Sequence, residues 1–190
     1  MEDMPVVMII MFVVIAVFIV IYMLKKSKDN SEKNKQYLEE VKVFLNSELD
    51  FAGAQLFYFG NRRAIAITES GGIALFKKDK QKILSIKDIN DYQVNIKDRE
   101  AANLGNAILG GIFFGDAGAI VGSMHKRKKK IEQIELIFNL DDFNEPVFTI
   151  TAFNHVEFPD FCVSLNEALT MIEKITALLD IVSKRNKKDQ

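Results

Sequence analysis

Four residues towards the end of the chain, His155, Glu157, Asp160 and Cys162, are of types that ligate metals or carry protons. Their spacing matches no familiar zinc pattern, and Phe158-Pro159 interrupts them, so a loop ahead of a helix is the ordinary reading. Cys162 is the only cysteine and has no basic surroundings in sequence to hold it as a thiolate. An intrachain disulfide is therefore excluded, as suits a reducing cytoplasm. His125 and His155 are the only histidines. Asp141-Asp142 is a paired carboxylate, but it sits in a turn, where Asp bonds its own backbone. The expectation is a protein with no catalytic activity, no cofactor and no metal. A membrane-anchored enzyme with its site between His155 and Cys162 is the competing class.

Two other groups carry more information. Gly111 and Gly115 are four apart, as are Gly118 and Gly122, a spacing that lets helix backbones approach closely. They lie in an apolar stretch, Leu104 to Met124, followed at once by His125-Lys126-Arg127-Lys128-Lys129-Lys130. Each cation of that run near an anionic membrane surface contributes about 1 kcal/mol. A second membrane span is disfavoured here by Asp116 and six glycines, and it would put Lys126 to Lys130 outside. Two arrangements stay open. One is a helical hairpin turning at Gly115-Asp116-Ala117-Gly118 and dipping into the membrane, each arm reaching about 14 Å. The other is a glycine zipper packed on its own domain or on a second copy, which would make a homo-oligomer. No phosphate-loop or dinucleotide glycine pattern occurs. The formal net charge of −1 argues against a nucleic-acid partner.

The element that must position all of this is the first one. Pro5 to Leu24 is uncharged, and fourteen of its residues are Val, Ile, Leu or Phe. As a helix it is about 30 Å long, the thickness of a hydrocarbon core. Those residues favour insertion by on the order of 5 kcal/mol. Pro5, Ile10, Val14, Phe18 and Leu24 mark the expected anchor, with Lys25 and Lys26 at its edge. The acidic start, the length and the lack of a small-residue cleavage site separate it from a signal peptide. The flanking lysines predict a single-pass protein, N-terminus outside and the remainder cytoplasmic. The lipid bilayer is thus the first expected partner, beside an unknown protein.

About 165 residues follow the anchor, enough for one core. Residues 1–26 read as anchor, 27–50 as a polar linker (Lys25 to Glu32) leading into an amphipathic helix, and 51–190 as one domain with an insertion at 101–130. Tyr37, Leu38, Val41, Phe44, Leu45 and Leu49 recur at helical spacing. That helix either docks on the following domain or pairs with a second copy. From Gln55 the period becomes two. Seven strands are expected, at Gln55–Gly60, Arg63–Thr68, Ile73–Lys78, Lys82–Ile86, about Tyr92–Ile96, about Ile134–Leu140 and about Phe148–Ala152. Such strands imply an antiparallel sheet with one buried and one wet face. Ser164 and Glu167 fit a capping box opening a final helix, whose stripe is Leu165, Leu169, Ile172, Ile175, Leu179 and Val182. Lys184 to Gln190 reads as a frayed end.

Seven short strands in hairpin order followed by one amphipathic helix resemble the pleckstrin-homology (PH) superfold. The segment from Lys82 to Val94 (KILSIKDINDYQV) is similar to the fourth and fifth strands of bacterial PH-like domains. The resemblance covers roughly residues 55–185, less the insertion, and a similar Gly/Ala-rich insertion occurs in some bacterial and prophage proteins of this kind. It implies an α+β fold: an N-terminal transmembrane helix, then a seven-stranded antiparallel barrel of two roughly orthogonal sheets, capped by a C-terminal helix. It also implies a non-enzymatic binding module tethered to a bacterial cell membrane, for a protein partner or the inner leaflet. An immunity protein against a bacteriocin or phage is the alternative, by fold-level analogy.

Overall fold

The computed structural model describes residues 4–78, 80–98, 131–156 and 163–188. A long helix α1 (Met4–Ser47) precedes strands β1 (Gln55–Gly60), β2 (Arg63–Ile67), β3 (Gly72–Lys77), β4 (Lys80–Ser85), β5 (Ile89–Asp98), β6 (Ile131–Leu140) and β7 (Val147–Asn154). Helix α2 (Leu165–Lys188) ends the chain's described part. All seven strands fall where the alternation places them, within a few residues. They form two antiparallel sheets, β1-β2-β3-β4 and β5-β6-β7.

The expected barrel is therefore open: among the described residues no ladder joins the two sheets. The reason lies at the end of β4. The Ser85 N–H donates to Asp88 Oδ2 at 2.7 Å, and the Lys87 N–H to Ser85 Oγ at 3.4 Å. This reciprocal cap turns Ile86–Asp88 into a 3₁₀ corner, so β4 stops and β5 starts in the other sheet. The sheets meet instead through side chains. Phe57, Phe59, Ile65, Ile73 and Leu75 of the first and Val94, Ile134, Leu136, Phe138 and Ile150 of the second share one core.

Helix α2 closes that core on the expected stripe: Leu169, Ile172, Ile175, Leu179 and Val182 are all buried. Burying five such side chains is worth on the order of 10 kcal/mol before ordering costs. The capping box forms as read, with Ser164 N–H donating to Glu167 Oε2 at 2.9 Å and Glu167 N–H to Ser164 Oγ at 3.3 Å. The Tyr92 hydroxyl, on β5, bonds the Asp180 carboxylate and the Thr176 carbonyl of α2. Burial first, and then Asp180, push its phenol well above the ordinary range. The C-terminal basic stretch is helical rather than frayed as far as Lys188; Asn186 Nδ2 donates back to the Val182 carbonyl at 3.0 Å.

Gly71 lets α2 come this close. Its φ is +98°, and a Cβ there would meet Val182 Cγ1 at 3.0 Å and Ile86 Cγ2 at 3.1 Å. Gly71→Ala is expected to lower stability by about 2 kcal/mol, combining backbone strain and overpacking. The urea midpoint of unfolding checks it.

The first sheet departs from the one-wet-face expectation. Every residue of β2 is buried. Ile65 and Ile67 face the core, while Ala64 and Ala66 face outwards into a second cluster with Ala74, Phe76, Phe51, Val41 and Leu45. Helix α1 makes that cluster by lying on the sheet. Small side chains at the paired positions Ala66↔Ala74 leave room for its backbone, and Phe44 meets Phe76 edge-on at 5.8 Å. Of the two arrangements open to this helix, docking on its own domain is the one adopted. The second sheet keeps its polar face, where Asn95 Nδ2 donates to Glu135 at 3.1 Å.

One further expectation about α1 changes. The polar linker from Lys25 to Glu32 is helix, part of one run of 44 residues. After Pro5 in its first turn no glycine or proline interrupts it, and Lys25/Asp29 and Lys28/Glu32 are opposite charges four apart. Side chains are described from Met11 onward, and the apolar run from there ends at Leu24, before Lys25, Lys26 and Lys28. Among the described residues no helix is long and apolar enough to cross a membrane.

One ion cluster pins the two sheets together from outside. Lys82 Nζ, on β4, lies 2.7 Å from Asp142 and 3.3 Å from Glu145, both in the β6–β7 turn. The hydrogen bond from Lys82 holds the Asp142 carboxyl below its ordinary 3.8. Burial opposes the charge on Lys82, but its bonds to Asp142 and Glu145 win and raise it above 10.5. The Asp142 contribution is thus full above its unfolded value and lost as pH falls through the lowered one. The Lys82 contribution is full below 10.5 and lost only above it. Between these limits the cluster is constant with pH. Lys82→Met is expected to flatten the loss of stability below about pH 4, where the lowered carboxyl would otherwise titrate. Urea unfolding at stepped acid pH measures it.

Candidate functional site

The described residues converge on a groove outside the core, between α1 and the tips of two hairpins. It is a cavity of about 530 Å³. One wall is α1, through Lys33, Gln36, Tyr37 and Glu40; the floor is Val41, Phe44 and Phe76; the far wall is Arg62, Lys78, Lys80 and Gln81.

The far wall is held by unusual backbone. The β1–β2 connection is the two-residue loop Asn61-Arg62, with φ of +44° and +55°. Such a turn matches the twist of its strands, but its second position ordinarily takes glycine. Lys78, at the β3–β4 connection, also has positive φ, +51°. The Lys78 N–H donates to the Arg62 carbonyl at 2.7 Å, so the two cationic turns are fastened to each other. Arg63, buried beneath them, donates from Nε to the Gly60 carbonyl at 3.4 Å.

Tyr58 fastens the groove's two walls. Its hydroxyl donates to the Asn34 carbonyl of α1 at 3.4 Å and accepts from the Arg62 backbone. Burial raises its pKa, against the pull of that backbone bond and of Arg63 and Arg62. Lys33, Lys78 and Lys80 are exposed at the rim. Lys80 lies 3.5 Å from Glu145. The arrangement can hold an anion over an apolar floor.

Those of the sequence-predicted site residues that are described lie away from this groove. Val14, Phe18, Leu24, Lys25 and Lys26 lie on the free end of α1, all exposed. Pro5 and Ile10 belong to the same helix, with side chains outside those described. Gly111, Gly115, Gly118, Gly122 and Lys126 to Lys130 lie outside the described residues, as do Glu157, Asp160 and Cys162. His155 is exposed in the turn after β7. Among the described residues there is no group of three or more His, Cys, Asp or Glu placed to hold a metal. The groove was missed because its cations come from three separate segments. A signal existed: Arg62 and Lys78 occupy turn positions where glycine or asparagine costs less.

Two packed antiparallel sheets of four and three strands, closed by a C-terminal helix, define a PH-like domain. The comparison with known families agrees: the model of the glycine-zipper-containing PH domain matches residues 44–154, and the chain belongs to that family. That span runs from the docked end of α1 to the end of β7 and includes the glycine-rich insertion. No curated protein and no solved structure matches the chain.

Proposed function

We propose that this protein is a membrane-tethered, non-enzymatic binding module of a bacterial cell. Its N-terminus is outside and its PH-like domain is held at the cytoplasmic face, where it engages a protein partner or the inner leaflet. One observation carries the reading. From Met11 to Leu24 the large apolar side chains of α1 are exposed on every side of the helix, between 48% and 69%. A helix that is apolar all round requires an apolar surrounding, and with Pro5 to Ile10 added the run has the length of a bilayer core. The same helix then changes character and lays Tyr37, Val41, Phe44 and Leu45 on the sheet. Tethering confines the domain to two dimensions, so that weak contacts suffice. PH-like domains are generally binding modules, which fits a groove with a cationic rim and an apolar floor.

Carbonate washing of membranes from cells making the full chain tests the tether; retention in the pellet is expected, and complete release rejects it. Orientation is read with Cys162→Ser, Glu2→Cys: an impermeant maleimide should label intact cells. Labelling only after lysis would reverse the assigned topology.

A further inference from the structure

We infer that the groove beside α1 seats a second helix, an acidic amphipathic segment of a partner protein. The inference rests on the proposed binding role and names its surface and the kind of partner. Helix α1 covers only part of the first sheet's outer face. Its cluster is centred on Ala64 and Ala66 of β2, with Leu56 and Tyr58 of β1 on one side and Ala74 and Phe76 of β3 on the other. Burial ends there. Ile83 of β4 pairs with Ala74 and so shares that face, yet it is 50% exposed where Ala74 is 1%. Gln81, two residues earlier on the same face, is exposed as well.

The uncovered strip has the width of one helix. Strand β4 lies two strands from β2, about 10 Å away. Packed helices lie about 8–10 Å apart, axis to axis. A helix laid over β4 would therefore touch α1 and the sheet together, with Phe44 and Phe76 at the seam. The side of α1 turned towards it is a single stripe, Lys33, Gln36, Tyr37, Glu40 and Phe44, about 16 Å long.

Charge selects the occupant. The end at the hairpin tips is cationic, with Lys33, Arg62, Lys78 and Lys80 against one described carboxylate, Glu40; Lys80 is shared with Glu145. The other end is apolar, where Ile83 stands about 10 Å along β4 from Lys80. A helix with carboxylates at one end and an apolar stripe along its length matches both. A basic helix would meet like charges, which oppose docking. A single phosphate head group at the tips would leave Ile83 and the stripe bare.

The test places the full chain in phosphatidylcholine nanodiscs and follows the amide signals of Gln81 and Ile83. Three model peptides share a leucine stripe at helical spacing. One carries glutamates at its remaining positions, one carries lysines, and one carries glutamates with a central proline that breaks the helix. Saturable shifts with the unbroken glutamate peptide alone support the inference. Lys33→Glu with Lys80→Glu should weaken that binding about tenfold or more. Ile83→Ser should weaken it about fivefold. All three positions are on the surface, and unchanged urea midpoints will show that the variants fold. No shift with the glutamate peptide overturns the inference, as does unchanged affinity in both variants. Equal shifts with the lysine peptide overturn the charge match, and equal shifts with the proline peptide favour an extended segment over a helix and overturn it too. Shifts seen only when phosphatidylglycerol is added to the disc overturn it in favour of lipid. The carbonate wash separates the two ideas. A retained chain without peptide response rejects the groove alone; a released chain that still responds keeps the groove and rejects the tether.

Discussion

Val41→Asp is expected to strip α1 from the first sheet and lower stability by about 4 kcal/mol or more. Val41 is 3% exposed and sits with Leu45 over Ala64, Ala66 and Ala74, bordered by Phe51 and Phe76. That cluster is apolar throughout, so an ionised carboxylate would have to leave it or be protonated. Helix α1 can leave, because its link to the domain's main core runs only through the sheet's outer face. Val41→Ala, which removes two methyl groups without adding charge, should cost about 2 kcal/mol and keep the helix seated. Urea midpoints give the two losses. Hydrogen exchange at the Ala64, Ala66 and Ala74 amides gives the cause, since undocking bares that face before the sheet unfolds. Equal midpoints and equal exchange in the two variants would show that α1 is held somewhere else.

Val14→Arg combined with Phe18→Arg is expected to move the protein from the carbonate-resistant to the carbonate-soluble fraction. Each arginine near the middle of a span costs about 3 kcal/mol and also removes a favourable residue. Together the pair costs about 7 kcal/mol, against an insertion term on the order of 5 kcal/mol for the whole run. The sum changes sign, so the effect is a switch in location. Glu39→Arg, on the exposed face of α1 beyond the apolar run, introduces similar charge and should leave retention unchanged. Retention of the double arginine variant would mean that something besides α1 holds the protein to membranes.

The second sheet was legible almost residue by residue, because Ile134, Leu136, Phe138 and Ile150 alternate with polar partners. The final helix was equally plain, its stripe and its Ser164–Glu167 cap both present as read. The first sheet was only half legible. Ala64, Ala66 and Ala74 carry no hydrophobic signal strong enough to announce a covered face, and what covers them, Val41 and Leu45, lies a dozen or more residues away. The barrel's opening turned on Ser85 and Asp88, a short cap in a segment that reads only as the end of one strand and the turn to the next. Lys25 to Glu32 reads as a linker because it is polar, yet polarity alone does not stop a helix when nothing breaks it. The groove needs Lys33, Arg62 and Lys78 at one place, and only the docking of α1 brings them there. The glycine pairs at Gly111/Gly115 and Gly118/Gly122 lie within the span that the family model matches.

The unbroken passage of α1 from its free apolar end to its seat on the sheet has a consequence for encounters. A domain on a flexible leash tumbles about three axes and must find its partner's orientation by trial, which is one reason protein association is slower than diffusion. A domain welded to a membrane helix turns freely about one axis only, and always stands at the same height. Two such molecules in one leaflet, or one beside a fixed partner, search a single angle. Under the proposed tether, stiffness between anchor and domain would act as a kinetic device, raising the share of collisions that succeed.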